Sequence, residues 1–154
     1  MFRNLTDFLN ALDKEGELKH IHNQVSPHLE ISKLTDRESK SPGGGKALFF
    51  ENVKGSLFPV ATNIFGSSRR ICIALGVNHL DQLGERIKQY IDLNPPKSLM
   101  GALQILPMAF SFAKVFPRSF RASTPPCQEV VYKNDDVDLS KLPVLHCWPK
   151  DAGP

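Results

Sequence analysis

Nine of the twelve prolines lie at or beyond Pro95, and no aspartate or glutamate stands between Asp92 and Glu129. Proline lacks the backbone donor and blocks the interior of helices and central strands. The second part of the chain therefore cannot repeat the regular architecture of the first. Lys97, Lys114, Arg118 and Arg121 fall in the carboxylate-free stretch, around a run from Leu99 to Phe116 that is apolar on nearly every side and broken by Pro107. The pattern predicts a compact, locally regular α/β unit over residues 1–94. An extended excursion over 95–154 follows and closes on the turn Asp151-Ala152-Gly153-Pro154.

At 154 residues the chain has the size of one domain, or one and part of a second. With 41% apolar and 23% charged residues it sits with globular proteins and apart from disordered or fibrous ones. It contains no apolar span of roughly 20 residues, and Met1 leads into an acidic amphipathic stretch, unlike a signal peptide. Three cysteines (Cys72, Cys127 and Cys147) make an odd count without repeated spacing. They indicate neither a disulfide framework nor a zinc site, and the expected location is cytoplasmic. A formal charge of +3 is too small to point to nucleic acid.

Leu5, Phe8, Leu9 and Leu12 recur at helical spacing, with Asn4 as cap, Asp7 in the first turn and Gly16 as exit. A short strand is expected over Leu18–Ile21. Ser26-Pro27 is then expected to open a second helix, with proline at its first position, that ends near Ser39 to Pro42. Gly43-Gly44-Gly45 releases the chain into a strand over Ala47–Phe50, and a turn at Gly55-Ser56 returns it as a hairpin partner over residues 58–63. Gly66-Ser67-Ser68 starts a third helix that Gly76 stops. Leu80, Leu83, Ile87 and Ile91 mark the best-patterned helix, ended by Asn94-Pro95-Pro96. Further strands are expected over residues 129–132 and 144–147. Helices between short strands make the class α/β, mixed α+β, with a small sheet flanked by helices.

Few of the candidate chemical motifs survive inspection. Gly43-Gly44-Gly45-Lys46 lacks the spacing of a phosphate loop, has Ala47 where a hydroxyl is needed, and runs into a strand; it reads as a turn. Gly66-Ser67-Ser68-Arg69-Arg70 is the better anion candidate, at a helix N-terminus with two hydroxyls and two guanidiniums. The plainer reading is a capped helix whose arginines pair with acids. His20 and His22 share one strand face and could share a metal, but no third ligand has convincing spacing. His146 and Cys147 are adjacent in a strand and would point apart. Asn134-Asp135-Asp136-Val137-Asp138 lacks the sixth-position glycine and closing glutamate of a calcium loop, and reads as a turn with Asp138 capping residues 139–142. The 99–116 stretch suits burial or a subunit contact better than a membrane surface. No catalytic constellation can be assembled from these residues.

Several blocks nevertheless form a familiar series. Lys46-Ala47-Leu48-Phe49-Phe50-Glu51-Asn52-Val53-Lys54-Gly55, then Phe58-Pro59-Val60, Asn63-Ile64-Phe65-Gly66-Ser67, and Arg70 with Ala74-Leu75-Gly76 resemble the N-terminal domain of the UbiD family of decarboxylases. Pro126-Cys127-Gln128-Glu129-Val130-Val131, Asp135-Asp136-Val137-Asp138-Leu139, Leu142-Pro143 and Cys147-Trp148-Pro149-Lys150-Asp151-Ala152-Gly153-Pro154 continue the resemblance. It implies an N-terminal domain over 1–94, an apolar, proline-rich helical connector over 95–126, and the start of a central cofactor-binding domain over 127–154.

It also implies non-oxidative removal of CO2 from 3-polyprenyl-4-hydroxybenzoate in ubiquinone biosynthesis. The cofactor would be prenylated FMN, held with Mn2+ and K+ and supplied by a flavin prenyltransferase. The enzyme would be a homo-oligomer, cytoplasmic, with room for peripheral contact at the inner membrane. The family's catalytic, flavin and metal positions follow the Asp151-Ala152-Gly153-Pro154 block, so none is carried onto this sequence. The reading frame is expected to continue past Pro154, and the isolated chain is expected to be inactive and flavin-free. A self-sufficient binding or assembly module, acting through Gly66 to Arg70 or the 99–116 surface, is the alternative and predicts a stop codon there.

Overall fold

The ends and one apolar face of α1 (Leu5–Lys14) account for its position. The Asp7 N–H donates to the Asn4 side chain at 2.8 Å, and Phe8, Leu9 and Leu12 are buried. A computed structural model describes residues 2–91 and 126–151 of the chain. Gly16, at φ 68°, turns α1 into β1 (Leu18–Ile21). α2 (Glu30–Ser39), β2 (Ala47–Phe50), β3 (Val60–Thr62), α3 (Ser68–Leu75) and α4 (Asp81–Ile91) follow.

β2 is the central strand. It runs parallel to β1, with Leu18 opposite Ala47 and Ile21 opposite Phe50. It runs antiparallel to β3, with Leu48 opposite Thr62 and Phe50 opposite Val60. β1–α2–β2 is thus a parallel crossover unit and β2–β3 a hairpin. Successive side chains of β2 serve opposite faces, as a strand requires. Ala47 joins Phe8, Leu9, Leu12 and Leu18, with Phe49 and Ala61 packed alongside. Leu48 and Phe50 join Val25, Ile31 and Val53, with Leu34 of α2 and Leu145 alongside. The expected mixed α+β fold with a small flanked sheet is what the chain adopts.

The second helix begins later than Ser26-Pro27. The Val25 N–H donates to the Asn52 carbonyl at 3.0 Å and the Lys54 N–H to the Val25 carbonyl at 2.9 Å, which prolongs the β1–β2 pairing past Ile21. The Pro27 carbonyl accepts from the His146 N–H at 3.1 Å, and the Leu29 N–H donates to the His146 carbonyl at 3.0 Å. These long-range bonds keep residues 25–29 out of the helix. Leu29, at φ 63°, then turns the chain into α2.

The segment 144–147 forms only a single bridge, His28 to His146. Two of its other donors are committed locally: Val144 N–H to the Leu142 carbonyl at 2.9 Å, and Cys147 N–H to Asp151 Oδ2 at 3.0 Å. Residues 129–132 form no strand either. Val130, Val131 and Tyr132 are exposed, and no ladder partner lies beside them among the described residues. The hairpin strand expected over 58–63 shortens to Val60–Thr62. The run 99–116 lies outside the described residues.

The chain divides into two compact units, Met1–Glu85 with Asp138–Pro154, and Arg86–Val137. In the first, residues 138–151 pack with the N-terminal elements. Leu145 joins the second core and the Ser56 hydroxyl donates to the Lys141 carbonyl at 2.9 Å. In the second, the described residues comprise the end of α4 and single 3-10 turns at Pro126–Gln128 and Asn134–Asp136.

Candidate functional site

Arg70, on the first turn of α3, is completely buried. Its guanidinium donates from Nη1 to Glu17 Oε2 at 2.9 Å and to the Gly45 carbonyl at 2.6 Å, and from Nη2 to the Gly44 carbonyl at 3.2 Å. Nε is left without a partner. Asn63 reinforces the same turn, its Nδ2 donating to the Gly44 and Lys46 carbonyls at 2.8 and 2.9 Å. Arg69 pairs with Glu15 at 2.8 Å and Glu17 at 3.6 Å. The Gly66 to Arg70 anion candidate is therefore spent on protein acceptors. The glycine turn directs carbonyls, not N–H groups, at a cation, which is the reverse of a phosphate cradle.

His20 and His22 do meet a third side chain. His20 Nδ1 donates to Glu51 Oε1 at 2.7 Å and His22 Nδ1 to Glu51 Oε2 at 2.8 Å. Asp13 Oδ1 of α1 lies 3.4 Å from His20 Nε2. The two rings stack with centroids 6.0 Å apart, and His20 meets Phe49 edge-on at 5.7 Å. The Glu51 hydrogen bond holds His20 above the ordinary imidazole pKa, opposed by partial burial and helped by Asp13. The hydrogen bonds from His20 and then His22 hold Glu51 below the usual carboxylate range. Sequence reasoning missed both acids; Glu51 lies 31 residues from His20 and no local spacing signals it.

The His28 and His146 rings lie 5.2 Å apart across the bridge that their own backbones form. His146 Nδ1 donates to the Asp151 carbonyl at 3.3 Å, while Asp151 Oδ2 accepts from the Cys147 and Trp148 N–H groups at 3.0 and 2.9 Å. His146 and Cys147 form no dyad. In the calcium-like run, residues 134–136 form a 3-10 turn. The Asp138 carboxylate accepts from Ser140 Oγ at 2.5 Å and Ser140 N–H at 3.0 Å, which lowers its pKa.

Among the described residues no three His, Cys, Asp or Glu side chains converge as a metal ion requires. Arg70, buried, already spends both terminal nitrogens on Glu17 and the Gly44 and Gly45 carbonyls. These residues do not fit a flavin phosphate with its metal. No helix among them is long and apolar enough to cross a membrane.

A small three-stranded α+β scaffold, stitched at Pro27–His146 to the segment that follows it, is the class of domain these contacts define. Residues 9–87 match the model of the 3-octaprenyl-4-hydroxybenzoate carboxy-lyase N-terminal domain. Residues 118–154 match that of the Rift-related domain of the same carboxy-lyase. The chain belongs to the UbiD family and carries its N-terminal region.

An uncharacterized protein of Aquifex aeolicus (strain VF5) is 42% identical over 152 residues, covering 99% of this chain and 31% of that protein. The chain thus spans about a third of that relative's length. The vanillic acid decarboxylase of Sedimentibacter hydroxybenzoicus in closed form shares the fold, with a TM-score of 0.66 and 24% identity over 96% of this chain and 28% of that one. Its open form matches at a TM-score of 0.53, with 26% identity over 62% of this chain and 21% of that one. The UbiD-class enzyme HmfF of Pelotomaculum thermopropionicum, solved as an evolved dimeric form with prFMN, is 27% identical over 62% of this chain and 21% of that one, at a TM-score of 0.49.

Proposed function

We propose that this chain is the N-terminal part of a non-oxidative carboxy-lyase that removes CO2 from 3-polyprenyl-4-hydroxybenzoate in ubiquinone biosynthesis. The observation that carries the reading is the succession of two carboxy-lyase domain matches along one chain, 9–87 and then 118–154. The parent protein works as a homo-oligomer with prenylated FMN, Mn2+ and K+, the flavin arriving from a prenyltransferase. It acts in the cytoplasm, with peripheral contact at the inner membrane. The cofactor supplies the electron-handling chemistry when bound; the protein supplies position and acid–base groups. Residues 127–154 begin the central domain, 95–126 connect to it, and 1–94 act as scaffold. No decarboxylation step is assigned to the described residues. Arg70, Asn63 and Asp151 are engaged in holding the glycine turn and the returning segment in place.

The test is turnover by the parent protein, produced together with a flavin prenyltransferase and supplied with Mn2+ and K+. Decarboxylated product from a 3-polyprenyl-4-hydroxybenzoate, at higher kcat/KM than from 4-hydroxybenzoate or vanillate, is expected. Efficient turnover of a smaller acid alone would correct the substrate, and no turnover of any aromatic acid would overturn the reading.

A further inference from the structure

We propose that His20 is a proton-operated clasp that fastens the C-terminal turn of α1 to the end of β2, with Asp13 and Glu51 as its two jaws. A carboxylate faces each nitrogen of the ring, one at hydrogen-bond distance and one at ion-pair distance. His20 Nδ1 lies 2.7 Å from Glu51 Oε1 and Nε2 lies 3.4 Å from Asp13 Oδ1. Neutral imidazole carries one N–H and turns a lone pair toward the other acceptor; imidazolium carries two. Only the charged ring serves both carboxylates. Phe49 meets it edge-on, which fixes its plane between the jaws.

Among the described residues the charged groups around His20 are few. α1 contributes Asp13, the residue after β2 contributes Glu51, and the residue after β1 contributes His22, bonded to the second oxygen of Glu51 at 2.8 Å. Lys19 pairs instead with Glu38 of α2, at 3.9 Å. β3 offers only apolar neighbours, Ala61 with Pro59 before it. Two carboxylates therefore face one imidazole that can hold them both, and His22 adds a weaker tie to Glu51.

The clasp borders a groove between α1 and the sheet. The groove has a volume of about 220 Å³, and Leu9, Phe49 and Ala61 line it together with Asp13 and His20. With His20 charged, the last turn of α1 is held onto the sheet. When the proton leaves, Asp13 faces a lone pair, the turn is released and that end of the groove opens. His22, already exposed and tied only to Glu51, does not replace the lost contact with α1.

The test combines imidazole NMR titration with amide hydrogen exchange on the 154-residue chain, between about pH 5 and about pH 8. His20 is expected to titrate above the ordinary imidazole value, and both Asp13→Asn and Glu51→Gln are expected to lower its proton affinity. After correction for intrinsic exchange, amides of residues 11–14 should exchange at least about threefold faster at the alkaline end, and Asp13→Asn, which removes the carboxylate on α1, should abolish that difference. All four side chains are at least partly exposed, so circular dichroism is expected to show the fold retained in both variants. A His20 titration at or below the ordinary value, an exchange rate independent of pH in the wild type, or a pH dependence that survives in Asp13→Asn would overturn the proposal.

Discussion

The buried Arg70 guanidinium donates to the Gly45 carbonyl at 2.6 Å, so a helix that follows the sheet in sequence holds the turn that precedes its central strand. Glu17 accepts from the same nitrogen at 2.9 Å, which ties the start of β1 to that turn as well. Three stretches of chain separated by 25 to 53 residues meet on one side chain.

Arg70→Ala is expected to destabilise the chain by about 3–5 kcal/mol, because removing one partner of a buried pair strands the other. Glu17 keeps 20% of its side-chain exposure, which places the loss at the lower end of that range. Arg70→Lys should recover only part of it, since a point charge cannot span three separate acceptors. Urea unfolding checks both; a loss below about 1 kcal/mol for Arg70→Ala would mean that the knot is dispensable.

Gly43 and Gly44 share a left-handed backbone, at φ 71° and 84°, yet differ in surroundings. A Cβ on Gly43 meets nothing within 4 Å, whereas one on Gly44 would stand 1.9 Å from the Gly66 carbonyl oxygen. Gly43→Ala should cost about 1–2 kcal/mol for backbone strain alone. Gly44→Ala should cost a further 1–3 kcal/mol or so, from forced displacement of the packed turn. Equal denaturation midpoints for the two variants would contradict the packing.

Stability should show a pH window. The Glu51 contribution is present above its ordinary carboxylate pKa and is lost as pH falls through its lowered folded value. The His20 contribution is complete below the ordinary imidazole pKa and is lost as pH rises through its raised folded value. Both operate together only in the mildly acidic range between. The groups are exposed enough for salt to shrink the effect. Thermal melts of wild type and His20→Gln across that range should differ most in the mildly acidic region and converge at alkaline pH; superimposable profiles would rule the window out.

Local signals were enough for α1, α3 and the β2–β3 hairpin. Asn4, Ser67 and Gly76 cap or end their helices as their residue types predict. The alternation of Ala47, Leu48, Phe49 and Phe50 over two cores follows from strand periodicity. What escaped was set by distant partners. Pro27 reads as a helix start, but the bonds between residues 27–29 and His146, more than 115 positions away, keep it outside the helix. The plainer reading of Arg70, an arginine paired with an acid, holds in its bond to Glu17, but its other acceptors come from a glycine turn whose inward carbonyls no composition reveals. His20 and His22 were legible as a pair, while Glu51 joined them only through the parallel β1–β2 register.

The proposed division of labour, with this chain as scaffold and CO2 chemistry housed elsewhere in the carboxy-lyase, is tested most directly by flavin content and CO2 release measured side by side. The 154-residue chain and its parent protein would each be produced with a flavin prenyltransferase and assayed with Mn2+, K+ and a 3-polyprenyl-4-hydroxybenzoate. The parent is expected to hold prenylated FMN and release CO2, and the 154-residue chain to do neither above background. A 154-residue chain that purifies with stoichiometric flavin and releases CO2 would contradict that division.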